Sequence, residues 1–130
     1  SEKNLTNNIY LAGDIPNDQM RKFYNKADLV ILLSKVEIFG MVILEAMACG
    51  CPVIASAVPG AQDVIEDGVN SFIVSDMEAT GIAGRIIRIC NDSENLQKIK
   101  ENALKTIREK YCWPVIVRQY YELYLEASNA

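Results

Sequence analysis

Two carboxylates that lie eight residues apart are the side chains of this sequence best placed to do chemistry. Glu37 and Glu45 belong to the segment SKVEIFGMVILEAMACG, residues 34–50. From Met41 to Cys49 every residue except Glu45 is apolar, so the pattern predicts a helix that is buried nearly all round. A carboxylate in such a helix must be paired, hydrogen-bonded or turned toward a cleft, because burying a bare charge is very costly.

The start of this helix is predicted to bring both carboxylates to the mouth of one crevice. Side chains on a helix lean toward its N-terminus, so Glu45 can approach the loop that carries Glu37. The first turn also offers free backbone N–H groups and a positive dipole end, and Gly40 allows a ligand close to that backbone. This suits a nucleoside diphosphate, with N–H groups for phosphate oxygens and a carboxylate for the paired hydroxyls of a ribose. The alternative for Glu45 is a structural carboxylate that caps a neighbouring loop.

Short apolar runs alternate with helical patterns along the chain, which is typical of an α/β fold with a parallel sheet. The sequence predicts a single domain over residues 1–130 with a Rossmann-like, doubly wound sheet. Strands are predicted at residues 9–13, 28–34, 53–56 and 71–74. Helices are predicted at 40–49 and 61–65, and a further helix is predicted to begin at residues 14–16. Ligands of such sheets bind beyond the carboxyl ends of the strands. The segments expected to form the site are therefore 13–16, 34–40, 56–60 and 74–78.

Three further helical patterns follow, and each shows an apolar face that is predicted to pack in the core. The faces consist of Ile82, Ile86, Ile87 and Cys90; of Leu96, Ile99, Ala103 and Ile107; and of Ile116, Tyr120, Leu123 and Tyr124. The four cysteines have no metal-type spacing, so they are predicted to be small buried hydrophobic residues of a reducing compartment. They are Cys49, Cys51, Cys90 and Cys112.

Composition and missing motifs exclude several classes of function. The net charge is −4 and the pI about 4.8, which argues against nucleic-acid binding because that needs a basic face. Histidine is absent, which excludes a Ser-His-Asp triad and His-ligated zinc. The motif G-x-G-x-x-G is absent, which argues against a dinucleotide dehydrogenase. The motif G-x-x-x-x-G-K-[ST] is also absent, which argues against a P-loop nucleotide hydrolase. A phosphoacceptor receiver module needs an aspartate at the end of a central strand, where this chain has Leu33 and Ser34.

The segment around the two carboxylates resembles the signature of GT-B glycosyltransferases, in particular the large retaining family numbered four. That signature has two glutamates separated by seven residues, and the chain carries the family's residues in register. They are Glu37, Phe39, Gly40, Glu45, Ala46, Met47, Ala48, Gly50, Pro52 and Val53. Four further segments of the chain resemble motifs of the family. They are Tyr24 together with Ala27 and Asp28, the pair Pro59 and Gly60, residues 67–70 and residues 111–113. The resemblance therefore covers nearly the whole chain.

The resemblance implies a role for each residue of the signature. Glu45 would bind the ribose hydroxyls of a nucleoside-diphosphate sugar, and Glu37 would be the catalytic carboxylate, in contact with hydroxyls of the transferred sugar. The turn that contains Gly13 and Asp14 would lie against the base. The backbone N–H groups that would bind the sugar and the diphosphate belong to Phe39, Gly40 and Met41. The sugar would be transferred with retention of its anomeric configuration, and no cofactor and no metal ion are expected.

The same resemblance implies a larger enzyme with further partners. No element before Ile9 carries the Arg and Lys that clamp the diphosphate in the family, and the N-terminal acceptor-binding domain is absent. The chain is expected to be most of the donor-binding, C-terminal half of a GT-B hexosyltransferase, inactive when alone. Its partners would be a nucleotide-sugar donor and, through the N-terminal domain, an acceptor glycan, lipid or small molecule, without nucleic acid or a transmembrane segment. The expected location is the cytoplasm, with attachment of the intact enzyme to the inner face of a membrane as an option.

Two other functions of the same fold stay open. One is a catalytically inactive module that only binds a sugar nucleotide. The other is a sugar-nucleotide epimerase with the GT-B fold, which would need acid–base groups that a chain without histidine does not display.

Overall fold

Three parallel strands form the sheet of this protein in a computed structural model that describes residues 7–128. They are β1 (Val30–Leu32), β2 (Val53–Ser56) and β3 (Phe72–Val74), in the spatial order β1-β2-β3. Val30 lies opposite Val53, and Ile54 lies opposite Phe72. A helix separates each strand from the next, so the predicted Rossmann-like α/β fold with a parallel sheet is confirmed.

The helices flank this sheet and continue beyond it to the C-terminal end of the described chain. They are α1 (Asn17–Tyr24), α2 (Met41–Ala48), α3 (Pro59–Gln62), α4 (Ala79–Asn91), α5 (Ser93–Thr106) and α6 (Trp113–Ser128). A π-helical turn, Ile107–Tyr111, joins α5 to α6. Helix α2 begins after Gly40 and ends before Gly50, within one residue of the predicted range 40–49.

Apolar side chains cover both faces of the central strand, which is what a doubly wound sheet requires. All four residues of β2 are buried. On one face Val53 and Ala55 pack with Ile43, Met47 and other residues of the helices around α2. On the opposite face lie Ile54, Phe72, Val74, Ile99, Ile86, Ile89 and Leu96, from the strands and from α4 and α5. Burial of this central strand fixes the positions of the loops that leave the carboxyl edge of the sheet.

The predicted first strand, residues 9–13, is wrong. This segment is irregular, and Ile9, Tyr10 and Leu11 are exposed. A strand forms only where another strand accepts its hydrogen bonds, and no strand of the described residues lies beside this segment. The next strand was predicted at 28–34 with both faces covered. It is confined to Val30–Leu32, and Ile31 is half exposed because β1 forms the edge of the described sheet.

The helix predicted at 61–65 begins earlier, at Pro59, because the fixed φ of proline suits the first position of a helix. The face predicted for α5 is confirmed, with Ile99 and Ala103 fully buried. On α4 the prediction is only partly right. Ile82 and Ile86 pack inward, but Ile89 joins them in place of Ile87 and Cys90, which are exposed.

Helix α6 contradicts its prediction, since none of its residues is buried. Tyr120, Leu123 and Tyr124 are exposed and Ile116 is half buried, while the π-helical turn Ile107–Tyr111 packs against α6. The α2 face that carries Met41 and Val42 is also open, so α2 is buried on one side rather than all round. The prediction for the cysteines is partly wrong: all four are free thiols, but only Cys51 is buried. An apolar side chain is buried only where the fold brings a second surface against it.

Candidate functional site

The loops that follow the three strands meet at one edge of the sheet. The hydroxyl of Ser56, at the end of β2, donates a hydrogen bond to the carbonyl oxygen of Ser34, just after β1. The N–H of Ala57 donates to the carbonyl oxygen of Val74, at the end of β3, at 2.9 Å. The predicted meeting of segments 34–40, 56–60 and 74–78 at the carboxyl edge is therefore observed.

Gly60, in the first turn of α3, packs directly against the loop that carries Glu37. Its N–H donates to the carbonyl oxygen of Glu37 at 3.0 Å. A Cβ atom on residue 60 would lie 2.5 Å from that oxygen, 2.6 Å from the carbonyl carbon of Ile38 and 2.7 Å from the nitrogen of Phe39. Because all three contacts are backbone atoms, only glycine fits here without a shift of the loop.

Replacing Gly60 with alanine is expected to displace residues 37–39 and to lower the free energy of unfolding by about 1–3 kcal/mol, the usual range for overpacking. The matched control is Gly84→Ala in α4, where a Cβ would meet nothing within 4 Å. That variant is expected to be stabilised by about 0.5–1 kcal/mol, since alanine is the better helix former. Denaturant unfolding of both variants measures the difference, and equal stability of the two would contradict the packing argument.

Glu37 braces its own loop with one of its two carboxylate oxygens. Oε1 accepts hydrogen bonds from the N–H of Ile38 at 3.1 Å and from the N–H of Gly40 at 3.0 Å. Within residues 7–128, Oε2 of Glu37 accepts no hydrogen bond. The half-buried carboxylate is thus held in place and still presents one oxygen to the crevice.

Gly40 precedes α2 in the left-handed region of backbone conformation, with φ +71°. A Cβ there would lie 2.9 Å from Cδ1 of Ile43 and 3.2 Å from the carbonyl oxygen of Gly60. The sequence suggested glycine for the approach of a ligand, whereas the structure shows a buried residue constrained by its own conformation and packing. The N–H groups of Phe39 and Met41 donate to no acceptor within the described chain and stay available to a ligand.

Glu45 is hydrogen-bonded to a tyrosine on the neighbouring helix. Its Oε2 accepts from the hydroxyl of Tyr24 at 3.1 Å, and the side chain is half buried. Tyr24 is only 5% exposed. Burial, followed by the hydrogen bond and the negative charge of Glu45, raises the pKa of Tyr24 to about 12, so the hydroxyl stays a donor at any ordinary pH. The carboxylate that caps a loop is therefore Glu37, and Glu45 has a side-chain partner instead.

The other residues predicted for the site are less closely joined to it. Phe39 is half exposed on the same loop as Glu37. Gly13 and Asp14 lie in the irregular segment before α1, and no hydrogen bond of the described chain links them to the two glutamates. Residues 7–128 contain no group of three or more His, Cys, Asp or Glu side chains that could hold a metal ion. Their helices include none that is both long and apolar enough to cross a membrane.

Sequence reasoning missed two residues that build the site. Tyr24 was noted only as part of a motif, and its hydrogen bond to Glu45 spans 21 positions of the chain. Gly60 was noted as part of a loop motif, and its contact with Glu37 depends on the distance between two loops. The only sequence signal for either residue was the motif in which it occurs, since neither contact follows from local periodicity.

Residues 1–106 match the family described as glycosyl transferases group 1. A curated relative, N-acetyl-alpha-D-glucosaminyl L-malate synthase of Bacillus anthracis, is 35% identical over 94% of this chain and 33% of its own length. The chain spans about a third of the length of the first curated relatives it matches.

Solved structures give the same picture of the fold. Sucrose-phosphate synthase of Thermosynechococcus elongatus superposes with a TM-score of 0.86 at 31% identity, over 97% of this chain and 32% of that one. HepE of Anabaena is 32% identical over 81% of this chain and 29% of its own. It superposes with a TM-score of 0.75 as a complex with UDP and of 0.73 as a complex with UDP-glucose.

Proposed function

Because the chain belongs to the glycosyl transferases group 1 family, as part of a GT-B C-terminal domain, we propose that it binds the nucleoside-diphosphate sugar donor of a hexosyltransferase. One observation carries the proposal: Glu37, on the loop after β1, and Glu45, on α2, each keep a carboxylate oxygen that accepts no hydrogen bond from the described chain. The complexes of HepE with UDP and with UDP-glucose support a ligand of this kind.

Each group of the donor has a matching group at this edge. The free Oε1 of Glu45 accepts from the ribose hydroxyls, and Oε2 of Glu37 accepts from hydroxyls of the sugar. The N–H groups at the start of α2 donate to the diphosphate, where the helix dipole also favours negative charge. Gly13 and Asp14 lie against the base, an arrangement that needs the segment before α1 to approach the crevice.

The proposed reaction breaks the bond between the anomeric carbon and the diphosphate oxygen and forms a bond to an acceptor oxygen on the same face. The leaving diphosphate takes the acceptor's proton, so no acid–base side chain of this chain is needed. Positive charge develops on the sugar as the bond breaks, and the carboxylate of Glu37 stabilises it electrostatically. The dipole of α2 and cationic groups outside this chain stabilise the leaving diphosphate, so the reaction as proposed needs no metal ion.

We place the enzyme in the cytoplasm, with an acceptor bound outside these residues.

Titration of the full-length protein with UDP- and GDP-sugars tests the proposal. Calorimetry reports binding, and chromatography of the products separates three outcomes. Transfer releases a nucleoside diphosphate and supports the proposal. Epimerisation converts one sugar nucleotide to another without release, and binding without turnover identifies an inactive module. Either of the last two outcomes contradicts the proposed transfer, and absence of binding contradicts the site itself.

The 130-residue chain alone is expected to show no glycosyl transfer. The curated relatives are about three times as long, and we infer that orientation of the acceptor and stabilisation of the diphosphate also use groups from the rest of the protein. The measurement compares product formation by the purified chain with that of the full-length protein, after circular dichroism has shown a cooperative melting transition in both. Detectable glycosyl transfer by the purified chain alone would refute this.

A further inference from the structure

We propose that Tyr24 is a positioning residue, which holds the carboxylate of Glu45 in the orientation that receives the vicinal hydroxyls of a nucleoside. The inference rests on the proposed function, because it assigns Glu45 to the nucleotide. It goes beyond that function by giving a role to a buried side chain that does not itself reach the ligand.

The two side chains come from neighbouring helices and meet in one place. The hydroxyl of Tyr24, in the last turn of α1, donates to Oε2 of Glu45, in the middle of α2, at 3.1 Å. Glu45 is half buried, and its side chain has three rotatable bonds of its own. A single hydrogen bond from a fixed donor therefore selects one of the several orientations open to this carboxylate.

Tyr24 is a rigid donor because its ring is part of the core. It is 5% exposed and belongs to the same buried cluster as Ile43, Ala46 and Met47, which line the inner face of α2. Partly buried Met20 and Ala27 pack on this cluster from the region of α1. The ring has only two side-chain torsions, and packing leaves little room for either of them to change.

The geometry leaves the acceptor capacity that a nucleoside needs. An ionised carboxylate offers about four lone-pair sites on its two oxygens. Tyr24 uses one of them on Oε2, and Oε1 accepts nothing within residues 7–128. Two adjacent hydroxyls can therefore donate to Glu45 while Tyr24 remains bound. Tyr24 thus orients the carboxylate without competing for the ligand.

The test is the substitution Tyr24→Phe in the full-length protein, with calorimetric titration of UDP and GDP. Phenylalanine keeps the ring and its packing and removes only the donor. We expect the affinity for whichever nucleotide the wild type binds to fall about three- to tenfold, the usual size of one hydrogen bond. In turnover assays KM for the donor rises by the same factor and kcat changes less than twofold, because the ribose does not react.

Two comparisons separate positioning from a structural effect. In the double variant Tyr24→Phe/Glu45→Ala the tyrosine substitution has no further effect on affinity, since its hydroxyl acts only through Glu45. The 2′,3′-dideoxy form of the same nucleotide, which lacks both hydroxyls, binds equally to wild type and Tyr24→Phe. A tenfold loss that persists for the dideoxy nucleotide, or that adds to the loss from Glu45→Ala, overturns the proposal.

Tyr111→Phe is the matched control. Its hydroxyl donates to the backbone carbonyl of Asp63 at 3.1 Å, so the variant also loses one tyrosine hydrogen bond. We expect a lower melting temperature there with unchanged nucleotide affinity. If Tyr24→Phe does not fold, Glu45→Asp takes its place, because the shorter carboxylate leaves the reach of Tyr24. We expect the nucleotide affinity of Glu45→Asp to fall by the same three- to tenfold. Unchanged affinity in Glu45→Asp overturns the positioning role of Tyr24.

The titrations distinguish failure of the role of Tyr24 from failure of the proposed function. Wild-type protein that binds neither UDP nor GDP overturns the proposed function and the role of Tyr24 together. Wild-type binding that Tyr24→Phe leaves unchanged overturns only the role of Tyr24.

Discussion

Replacing Glu45 with alanine in the full-length protein is expected to weaken nucleoside diphosphate binding by about tenfold to a hundredfold. The reason is the loss of a charged acceptor for the ribose hydroxyls, a kind of hydrogen bond that contributes about 1.5–3 kcal/mol. The ribose does not react, so its contact is about equal in the ground state and the transition state. The donor's KM should therefore rise while kcat stays close to the wild-type value.

Calorimetric titration with the nucleoside diphosphate measures this loss directly. Glu45→Gln is the matched variant, because it keeps the size of the side chain and an acceptor oxygen for Tyr24 but removes the charge. We expect its affinity to lie between that of the wild type and that of Glu45→Ala. A fall in melting temperature without any loss of affinity would contradict the ribose role and leave Glu45 as a structural partner of Tyr24.

Glu37 is expected to affect turnover rather than nucleotide affinity. In the proposed function its carboxylate faces the sugar, where positive charge develops as the glycosidic bond breaks, so it would matter more in the transition state than in the ground state. The variant that tests this is Glu37→Gln, since the amide oxygen can still accept from the N–H groups of Ile38 and Gly40. We expect kcat to fall about a hundredfold or more, a magnitude typical of a lost electrostatic contact in a transition state.

Comparison with Glu37→Ala separates the effect of the negative charge from the effect of the two hydrogen bonds that hold the loop. Alanine removes both, so this variant should also lose about 1 kcal/mol of folding free energy through the two unmade hydrogen bonds. Glu37→Gln should keep the wild-type melting temperature and nearly unchanged affinity for the nucleoside diphosphate. Equal loss of nucleotide affinity in the Glu37 and Glu45 variants, or a collapse of melting temperature in all of them, would end the assignment of separate roles.

Gly60 and Tyr24 each support one of the two carboxylates. The N–H of Gly60 donates a hydrogen bond to the carbonyl oxygen of Glu37, and the carboxylate of Glu37 accepts one from the N–H of Gly40. Tyr24 holds Glu45 from the adjacent helix. Both carboxylates are therefore positioned by contacts within the described chain.

Features that depend on neighbours along the chain could be predicted from the amino-acid sequence. Helix α2 could be bounded by Gly40 and Gly50, since glycine and the residues around it set helix ends locally. Strand β2 could be predicted to the residue, because Val53–Ser56 is a short run between Pro52 and a segment that is interrupted by Pro59 and Gly60. The family motif around Glu37 and Glu45 is also a linear pattern, readable without coordinates.

Features that depend on residues far apart in the chain became visible only in the folded structure. Glu45 and Tyr24 are 21 positions apart, and the pairing of Gly60 with Glu37 joins the loops after two different strands. The segment 9–13 has the pattern of a strand and α6 that of a packed helix, yet no strand of the described chain pairs with the segment and none of the residues of α6 is buried. Periodicity records which face of an element is apolar. Whether that face is buried, and which carboxylate braces a loop, depends on the surface that the fold brings against it.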